Sequence, residues 1–252
     1  MTIKAVVFDA YGTLFDVQSV AGVTDAAFPG HGEVITQIWR LKQLEYTWLR
    51  ALMGRYEDFW TVTRESLAYT LETLGLAATP ELIARIAEAY DALALYPEAR
   101  QALEQLAPLR LAIFSNGSAA MLKRLVAQAG IDGLFEAVIS VDEIGVYKPD
   151  PRGYRHVETR LGLAREEILF VSSNGFDSAG AKAHGFRFAR IARIPAETLR
   201  RELADAGTIG PGLLCKALRM RPEQLGLDAD VTIAALTDLV SYAARDHGSA
   251  QA

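Results

Sequence analysis

The stretch IKAVVFDAYGTL, residues 3–14, is a short apolar run that ends in Asp9 and continues into a Gly-Thr turn. Open α/β sheets build their sites at the carboxyl ends of the strands. A carboxylate at such an edge is held rigidly and is partly removed from water, which suits a nucleophile. The second position after Asp9 is Tyr11 and not another carboxylate. The stretch therefore predicts a buried strand with a reactive aspartate at its end.

Short apolar runs of the same kind recur along the chain and predict further strands. They lie at 3–9, 110–116, 137–142, 168–174, 186–193 and 231–236. From residue 98 onward they alternate with helical patterns, and runs that are apolar on both faces are typical of a parallel sheet covered on both sides. We therefore predict an α/β fold with a doubly wound, Rossmann-like parallel-sheet core.

About a hundred residues with helical periodicity separate the first two of these runs. An amphipathic stripe consists of Leu41, Leu44, Trp48 and Leu52, which we expect to pack mostly inside this block, with part of the stripe open to a subunit contact. A block of this length cannot be one crossover, so we predict that residues 16–95 form an inserted helical cap over the sheet edge. The core domain would then comprise residues 1–15 and 96–252.

Two more helical patterns, around 195–206 and 211–220, lie between the last two predicted strands. An appended helical pair in this position is more often an interface element than a catalytic one. We therefore predict that residues 195–227 form a dimer element within the core domain.

Composition narrows the class of protein. The 252 residues carry 26 basic and 31 acidic side chains, a net charge of −5, with no basic tract, so nucleic acid is not an expected partner. Cys215 is the single cysteine, which excludes internal disulfides and fits a reducing, cytoplasmic environment. No signal peptide and no apolar window of roughly 18 residues is visible, so we expect no membrane association.

Polar residues follow the predicted central strands at the points where these strands end. They are Asp9 with Thr13, Ser115-Asn116-Gly117, Tyr147-Lys148-Pro149 and Ser172-Ser173-Asn174-Gly175-Phe176-Asp177. Each group alone is ordinary turn or helix-cap chemistry. In a doubly wound sheet, however, all four converge on one crevice, where Lys148 would favour the ionised form of Asp9. The pattern predicts an active site built on a carboxylate nucleophile.

The motifs VVFDAYGTL, FSNG, YKPDP and SSNGFD, in this order and spacing, resemble the haloacid dehalogenase superfamily, and most closely its L-2-haloacid dehalogenases. The resemblance covers essentially the whole chain. It implies hydrolysis of short-chain L-2-haloalkanoic acids to D-2-hydroxyalkanoic acids with inversion, through an ester on Asp9. It also implies a homodimer whose small-molecule partners are a 2-haloacid and a halide ion.

The resemblance implies a role for each matching residue. Asp9 would be the nucleophile, Asp177 would help to activate water, and the residues that orient Asp9 and balance its charge would be Thr13, Lys148, Ser172 and Asn174. The halide would be received by Arg40, Asn116 and Phe176. The remaining substrate-binding residues would be Tyr11, Leu44, Phe59, Ser115 and Tyr154, the last of which would also contact Lys148.

Several of these residues have simpler interpretations, and one position departs from the family. On sequence alone, Arg40 is better interpreted as a solvated surface arginine. Asp177 could instead cap a helix that begins near Ser178, and Tyr11 could merely fill space. Many relatives carry glutamine directly after the cap arginine, whereas this chain has Leu41, which predicts a more apolar pocket wall.

Two other functions remain open at this point: a phosphatase of the same fold, and a binding protein that reuses the scaffold. Superfamily phosphatases place a second aspartate where this chain has Tyr11, and a Gly-Asp pair where it has Ser172-Ser173. Chloride and bromide leave as stable anions, so their departure needs neither an acid nor a divalent metal. We therefore predict a dehalogenase without metal or cofactor.

Overall fold

All six predicted apolar runs enter one parallel sheet of the computed structural model, which describes residues 2–219 and 225–248. In chain order the strands are β1 Ala5–Phe8, β2 Phe15–Asp16, β3 Ala94–Leu95, β4 Arg110–Ser115, β5 Ala137–Ser140, β6 Ile168–Ser172, β7 Arg187–Ile191 and β8 Val231–Ile233. The sheet order is β5-β4-β1-β6-β7-β8, while β2 and β3 form a separate antiparallel ribbon. The predicted α/β core is confirmed.

The helices connect these strands. They are α1 Ala21–Ala27, α2 Gly32–Leu52, α3 Phe59–Thr73, α4 Pro80–Ala87, α5 Ala99–Gln105, α6 Ala119–Gln128, α7 Pro151–Leu161, α8 Gly175–His184, α9 Ala196–Asp205, α10 Pro211–Arg219 and α11 Asp238–Gly248. From β1 the chain moves to β4 and β5, and from β6 it moves the other way, to β7 and β8. Because parallel crossovers are right-handed, this reversal places helices on both faces and opens a crevice beside β1 and β6.

Strand β1 lies at the centre of the sheet and anchors the first motif. Its four residues, Ala5 to Phe8, are fully buried. Val7 pairs with Ala112 of β4 on one side and with Phe170 of β6 on the other. Burial of one such apolar side chain contributes about 1.5–3 kcal/mol. The position of Asp9, one residue beyond this strand, is therefore fixed by the best-packed part of the core.

Residues 16–95, the cap segment, carry helices α1 to α4. The β2–β3 ribbon, which the sequence did not predict, closes this segment at its base by pairing Phe15 with Leu95. Helices α2 and α3 pack along each other. Division of the chain into a core domain and a cap subdomain remains a prediction.

The buried face of α2 differs from the predicted leucine stripe. Leu41 and Leu52 are 44% and 86% exposed, so the prediction that they pack inside the cap segment is wrong. The face that contacts α3 instead buries Trp39 and Gln43. Both hydrogen-bond to Thr63 of α3, which satisfies their polar atoms without water.

Helices α9 and α10 correspond to the predicted appended pair, and α10 packs against α2 of the cap segment. Part of the predicted 195–227 element, residues 220–224, lies outside the described residues. Cys215 is buried, whereas Leu214 and Leu218 on the same helix are exposed. Within the described ranges, no helix is long and apolar enough to cross a membrane.

Candidate active site

The turn after β1 brings Thr13 back over Asp9. Gly12 adopts a φ of +87°, a left-handed conformation that favours glycine, and its N–H donates to the Phe15 carbonyl at 2.7 Å. This reversal places Thr13 Oγ1 2.8 Å from Asp9 Oδ2. The Gly-Thr turn therefore binds the Asp9 carboxylate as well as connecting two strands.

Both oxygens of the Asp9 carboxylate are held by hydrogen bonds. Lys148 Nζ donates to Oδ1 at 2.8 Å. Oδ2 accepts from Thr13 and, at 2.9 Å, from Asn174 Nδ2. Asn174 stands at the N-cap position of α8, but its side chain makes no cap hydrogen bond and binds Asp9 instead. The carboxylate is thus fixed in one orientation by charge-assisted hydrogen bonds from three different loops.

Lys148 is fully buried between two carboxylates. Its Nζ also lies 3.0 Å from Asp177 Oδ2 and 3.3 Å from the Phe114 carbonyl oxygen. Burial opposes the ammonium form, but the charges of Asp177 and Asp9 outweigh this effect and raise the pKa of Lys148 above its ordinary value. The side chain therefore stays charged and occupies the space between the two acids.

Asp177 lies in the first turn of α8 and is fully buried. The helix begins at Gly175, so the predicted helix start near Ser178, with Asp177 as its cap, is wrong. Its Oδ2 accepts a hydrogen bond from Ser172 Oγ at 2.7 Å, while Oδ1 has no partner among the described residues. Burial, opposed by Lys148, raises the pKa of Asp177 to about 6. An acid with this pKa and an unused oxygen can accept a proton from water near neutral pH.

A small cavity of about 10 Å³ lies over Asp9. Its lining consists of Asp9, Tyr11, Arg40, Leu44, Phe59, Ser115, Asn116, Lys148, Asn174 and Phe176. Arg40 reaches it from α2 and is 4% exposed, so its interpretation as a surface arginine is wrong. The structure thus brings residues of the cap segment and of four strand ends to one cavity.

One side of the cavity is apolar and one is polar. The Tyr11 and Phe59 rings lie 5.4 Å apart, and burial raises the pKa of Tyr11, so its hydroxyl is neutral. On the polar side, Asn116 Oδ1 accepts from the Lys148 backbone N–H at 2.9 Å. Asn116 Nδ2 is buried and has no hydrogen-bond partner in the described part of the chain. That amide can donate to an anion in the cavity.

Two predicted pocket residues lie elsewhere. Tyr154 packs behind the site, with its ring 5.6 Å from Phe114 and 6.1 Å from Phe170, and it is not part of the cavity lining. Leu41 is also outside the lining, and its side chain is partly exposed to solvent. The expectation that Leu41 makes the pocket wall more apolar is therefore wrong.

Sequence reasoning missed two residues next to the site. Gln43, buried on α2, accepts a hydrogen bond from Arg40 at 2.6 Å. Trp48, also on α2, contacts Phe176 edge-on with the ring centres 5.6 Å apart. Helical spacing could have indicated both residues, because side chains three or four positions apart share a helix face. Gln43 lies three positions after Arg40, and Trp48 lies four after Leu44. Among residues 2–219 and 225–248, no three or more His, Cys, Asp or Glu side chains are placed to hold a metal ion.

Comparison with known proteins agrees with this geometry. A model of the haloacid dehalogenase-like hydrolases matches residues 3–185. The chain belongs to the haloacid dehalogenase-like hydrolase family. The predicted resemblance to this family is confirmed.

Within the haloacid dehalogenase-like hydrolases, curated relatives share most of their length with this chain. The (S)-2-haloacid dehalogenase of Xanthobacter autotrophicus is 60% identical over 237 residues, which cover 94% of this chain and 93% of that protein. The (S)-2-haloacid dehalogenase of Pseudomonas sp. (strain YL) is 48% identical over 73% of this chain and 80% of its own.

A solved structure of a relative has the same fold as this chain. The L-2-haloacid dehalogenase of Xanthobacter autotrophicus with chloropropionic acid covalently bound superposes with a TM-score of 0.92 at 59% identity. The match covers 95% of this chain and 98% of that one. This haloacid dehalogenase-like hydrolase therefore shares its fold with a relative that holds a covalent adduct.

Proposed function

We propose that this chain hydrolyses short-chain L-2-haloalkanoic acids to D-2-hydroxyalkanoic acids, with inversion at carbon 2 and through an ester on Asp9. The observation that carries the proposal is the Asp9 carboxylate, which is held by Lys148, Thr13 and Asn174 at the floor of a cavity that Arg40 also lines. The names of the curated relatives and the covalently bound chloropropionic acid of one relative support the same reaction.

In the first step, an Asp9 oxygen attacks carbon 2 of the haloacid from the face opposite the halogen. A C–O bond forms, the carbon–halogen bond breaks, and the halide leaves with the bonding electrons. Attack from the opposite face inverts the carbon. Arg40, Asn116 Nδ2 and the edge of Phe176 receive the halide, because cationic and N–H groups stabilise the charge that develops on it.

In the second step, water attacks the carbonyl carbon of the Asp9 ester. Asp177 accepts the proton of the water through its unused oxygen. Lys148 and Thr13 stabilise the oxyanion that forms. Breakage of the bond between the Asp9 carbonyl carbon and the substrate oxygen returns the carboxylate, and the departing alkoxide takes a proton. The net change is haloacid plus water to hydroxy acid, halide and a proton.

The alternative phosphatase activity is disfavoured by what surrounds Asp9. A phosphatase of this fold needs a second carboxylic acid to protonate the leaving alcohol, and the neutral Tyr11 side chain stands at that position. The carboxylates of Asp9 and Asp177 instead share the ammonium of Lys148, which lies 2.8 Å and 3.0 Å from them. We propose that the reaction proceeds without metal or cofactor.

We further propose that the cap segment, residues 16–95, is a subdomain over the core, and that the protein is a cytoplasmic homodimer. The exposed leucines of α10, Leu214 and Leu218, support an interface that involves the helical pair. The single cysteine supports a reducing location. Mass measurement in solution at micromolar concentration tests the dimer, and a monomeric mass contradicts it.

Single turnover in ¹⁸O-labelled water tests the reaction. With enzyme in excess over L-2-chloropropionate, we expect the label in Asp9 first, because water attacks the ester carbonyl carbon and not carbon 2. Asp9→Asn is the control and should release no halide. Direct appearance of the label in the hydroxy acid overturns the ester route. Phosphate-ester hydrolysis that requires added Mg²⁺, without halide release, would favour the phosphatase.

A further inference from the structure

Arg40 is hydrogen-bonded to a buried amide of its own helix. Arg40 and Gln43 are three residues apart on α2 and are 4% and 0% exposed. Arg40 Nη1 donates to Gln43 Oε1 at 2.6 Å. A fully buried glutamine loses its bonds to water and must recover them inside the protein. Gln43 does so partly through the guanidinium that lines the cavity.

The other end of the amide is bonded to the neighbouring helix. Gln43 Nε2 donates to Thr63 Oγ1 of α3 at 2.7 Å. Thr63 donates its own hydroxyl proton to the Phe59 carbonyl oxygen at 2.6 Å. Since that proton is already used, Thr63 Oγ1 can only accept from Gln43. The amide nitrogen must therefore face Thr63, and the amide oxygen must face Arg40.

This chain of hydrogen bonds fixes the direction of Arg40 without adding charge. A flipped amide would set its NH₂ group against the guanidinium, where two donors cannot bond. A carboxylate in place of the amide would also bind the guanidinium, but its negative charge would offset the positive charge of Arg40. An amide orients the guanidinium and, unlike a carboxylate, brings no negative charge to it.

We propose that Gln43 is a positioning residue for the leaving halide, which acts through Arg40 and is itself fixed by Thr63. The proposal rests on the proposed function, because it takes Arg40 as the group that receives the halide. The end of the hydrogen-bond chain at the Phe59 carbonyl ties the same network to the cavity wall. Orientation of Arg40 would then matter most for the halide that is hardest to expel.

Three variants test the proposal. Gln43→Met keeps the approximate size and removes both hydrogen bonds, Gln43→Glu keeps the shape and adds a charge, and Thr63→Val removes the hydroxyl that fixes the amide. The matched control is Thr70→Val, because Thr70 is a buried threonine of α3 whose hydroxyl donates to the Ser66 carbonyl of its own helix. All four proteins are compared with the parent by thermal unfolding, so that loss of fold is recognised.

Rapid-quench kinetics with L-2-chloro- and L-2-bromopropionate then separate ester formation from ester hydrolysis. For Gln43→Met we expect ester formation to slow by about 10- to 100-fold with the chloro acid, the usual effect of a lost hydrogen bond to a charged group. We expect a smaller loss with the bromo acid, because bromide leaves more readily, and no change in ester hydrolysis. Thr63→Val should shift in the same direction, and Thr70→Val should match the parent.

Chloride binding gives a readout that does not depend on turnover. Titration with sodium chloride, followed by tryptophan fluorescence, should show at least about 10-fold weaker binding in Gln43→Glu, because the added carboxylate opposes the positive charge of Arg40. Equal slowing of both steps, with an unchanged chloro-to-bromo ratio and unchanged chloride affinity, overturns the positioning role. If the parent binds chloride and Gln43→Glu weakens that binding, but no 2-haloacid releases halide, the proposed function fails, and only the orientation of Arg40 toward an anion by Gln43 stands.

Discussion

Lys148 Nζ lies 2.8 Å from Asp9 Oδ1, and both side chains are almost completely buried. The same nitrogen is 3.0 Å from Asp177 Oδ2. One ammonium therefore serves two carboxylates, which leaves a buried group of three charges with a net charge of −1. An anionic haloacid enters such a site only if another cation offsets that charge, and Arg40 lines the cavity. Lys148 therefore binds the carboxylate proposed as the nucleophile, while Arg40 lines the cavity proposed to take the substrate.

Replacement of Lys148 by methionine should destabilise the protein strongly. Two buried carboxylates would lose their shared cation, and removal of one partner from a buried ion pair typically costs 3–5 kcal/mol. We expect Lys148→Met to lower the free energy of unfolding in urea by about this amount and to abolish halide release. The control is Lys182→Met, which removes a partly exposed pair with Asp230 and should cost about 0–1 kcal/mol. Equal losses in the two variants would contradict the role of Lys148 as a shared buried counterion.

The pKa of Asp177 predicts how the second step depends on pH. Burial raises this pKa from 3.8 to about 6, so the carboxyl is protonated in the folded protein below pH 6 and cannot accept a proton from water. Ester hydrolysis should therefore speed up as the pH rises through about 6, whereas ester formation should change less. Rapid-quench measurement between pH 4.5 and 8 checks this. Asp177→Asn should lose the pH-dependent limb and accumulate the Asp9 ester, and persistence of the limb in that variant would refute the assignment.

The same shift has a consequence for stability. An acid whose pKa is higher in the folded state binds its proton more tightly there than in the unfolded chain. The contribution of Asp177 to stability is therefore fully present below pH 3.8 and is lost as the pH rises through about 6. In urea unfolding, Asp177→Asn should reduce the fall in stability between pH 4 and pH 7, and an unchanged fall would show that Asp177 does not titrate in this range.

The sequence predicted the core of the site because parallel strands place their carboxyl ends at one edge. Asp9, Lys148 and Asn174 were assigned from strand ends and motif spacing, and they meet within hydrogen-bond distance. Which face of α2 is buried could not be predicted from strand ends or motif spacing. Leucine periodicity favoured Leu41 and Leu52, yet the face of α2 that contacts α3 carries a hydrogen bond between residues 20 positions apart, Gln43 and Thr63. Such pairs depend on how two helices dock, which hydrophobic periodicity does not encode.

Gly117 lies against Tyr11, which follows Asp9 in the chain, and its replacement should disturb the cavity. A Cβ at this position would lie 2.7 Å from Tyr11 Cε2 and 2.9 Å from Tyr11 Oη. Gly117→Ala would therefore push Tyr11, which lines the cavity, and overpacking of this kind typically costs 1–3 kcal/mol. We expect a loss in kcat/KM for 2-chloropropionate of about 10-fold or more. Gly133→Ala is the control, because nothing lies within 4 Å of the added Cβ there; similar effects in both variants would contradict the argument.

Two hydrogen bonds join the cap segment to the segment that follows β5. Tyr56 Oη donates to Asp142 Oδ1 at 2.5 Å, and Tyr147 Oη donates to the Glu57 carbonyl at 2.6 Å. Burial and the neighbouring Asp142 carboxylate raise the pKa of Tyr56, so its hydroxyl remains a donor. The cavity of about 10 Å³ has room for no more than about one water molecule. A haloacid is several times larger, so the cavity has to widen before a haloacid binds, and we expect these contacts to loosen when it does.

Tyr56→Phe should therefore change substrate entry and chemistry in opposite directions. Loss of one hydrogen bond weakens the closed arrangement by about 1 kcal/mol, which is about 5-fold in the ratio of open to closed protein. We expect the association rate of 2-chloropropionate in stopped-flow experiments to rise by up to this factor. Ester formation should slow, because Arg40 lines the cavity in the arrangement that this contact stabilises. The control is Tyr69→Phe, on the exposed side of α3, which keeps its ring contact with Tyr46. Slower entry in Tyr56→Phe, or equal changes in the two variants, would show that the Tyr56–Asp142 contact does not limit opening.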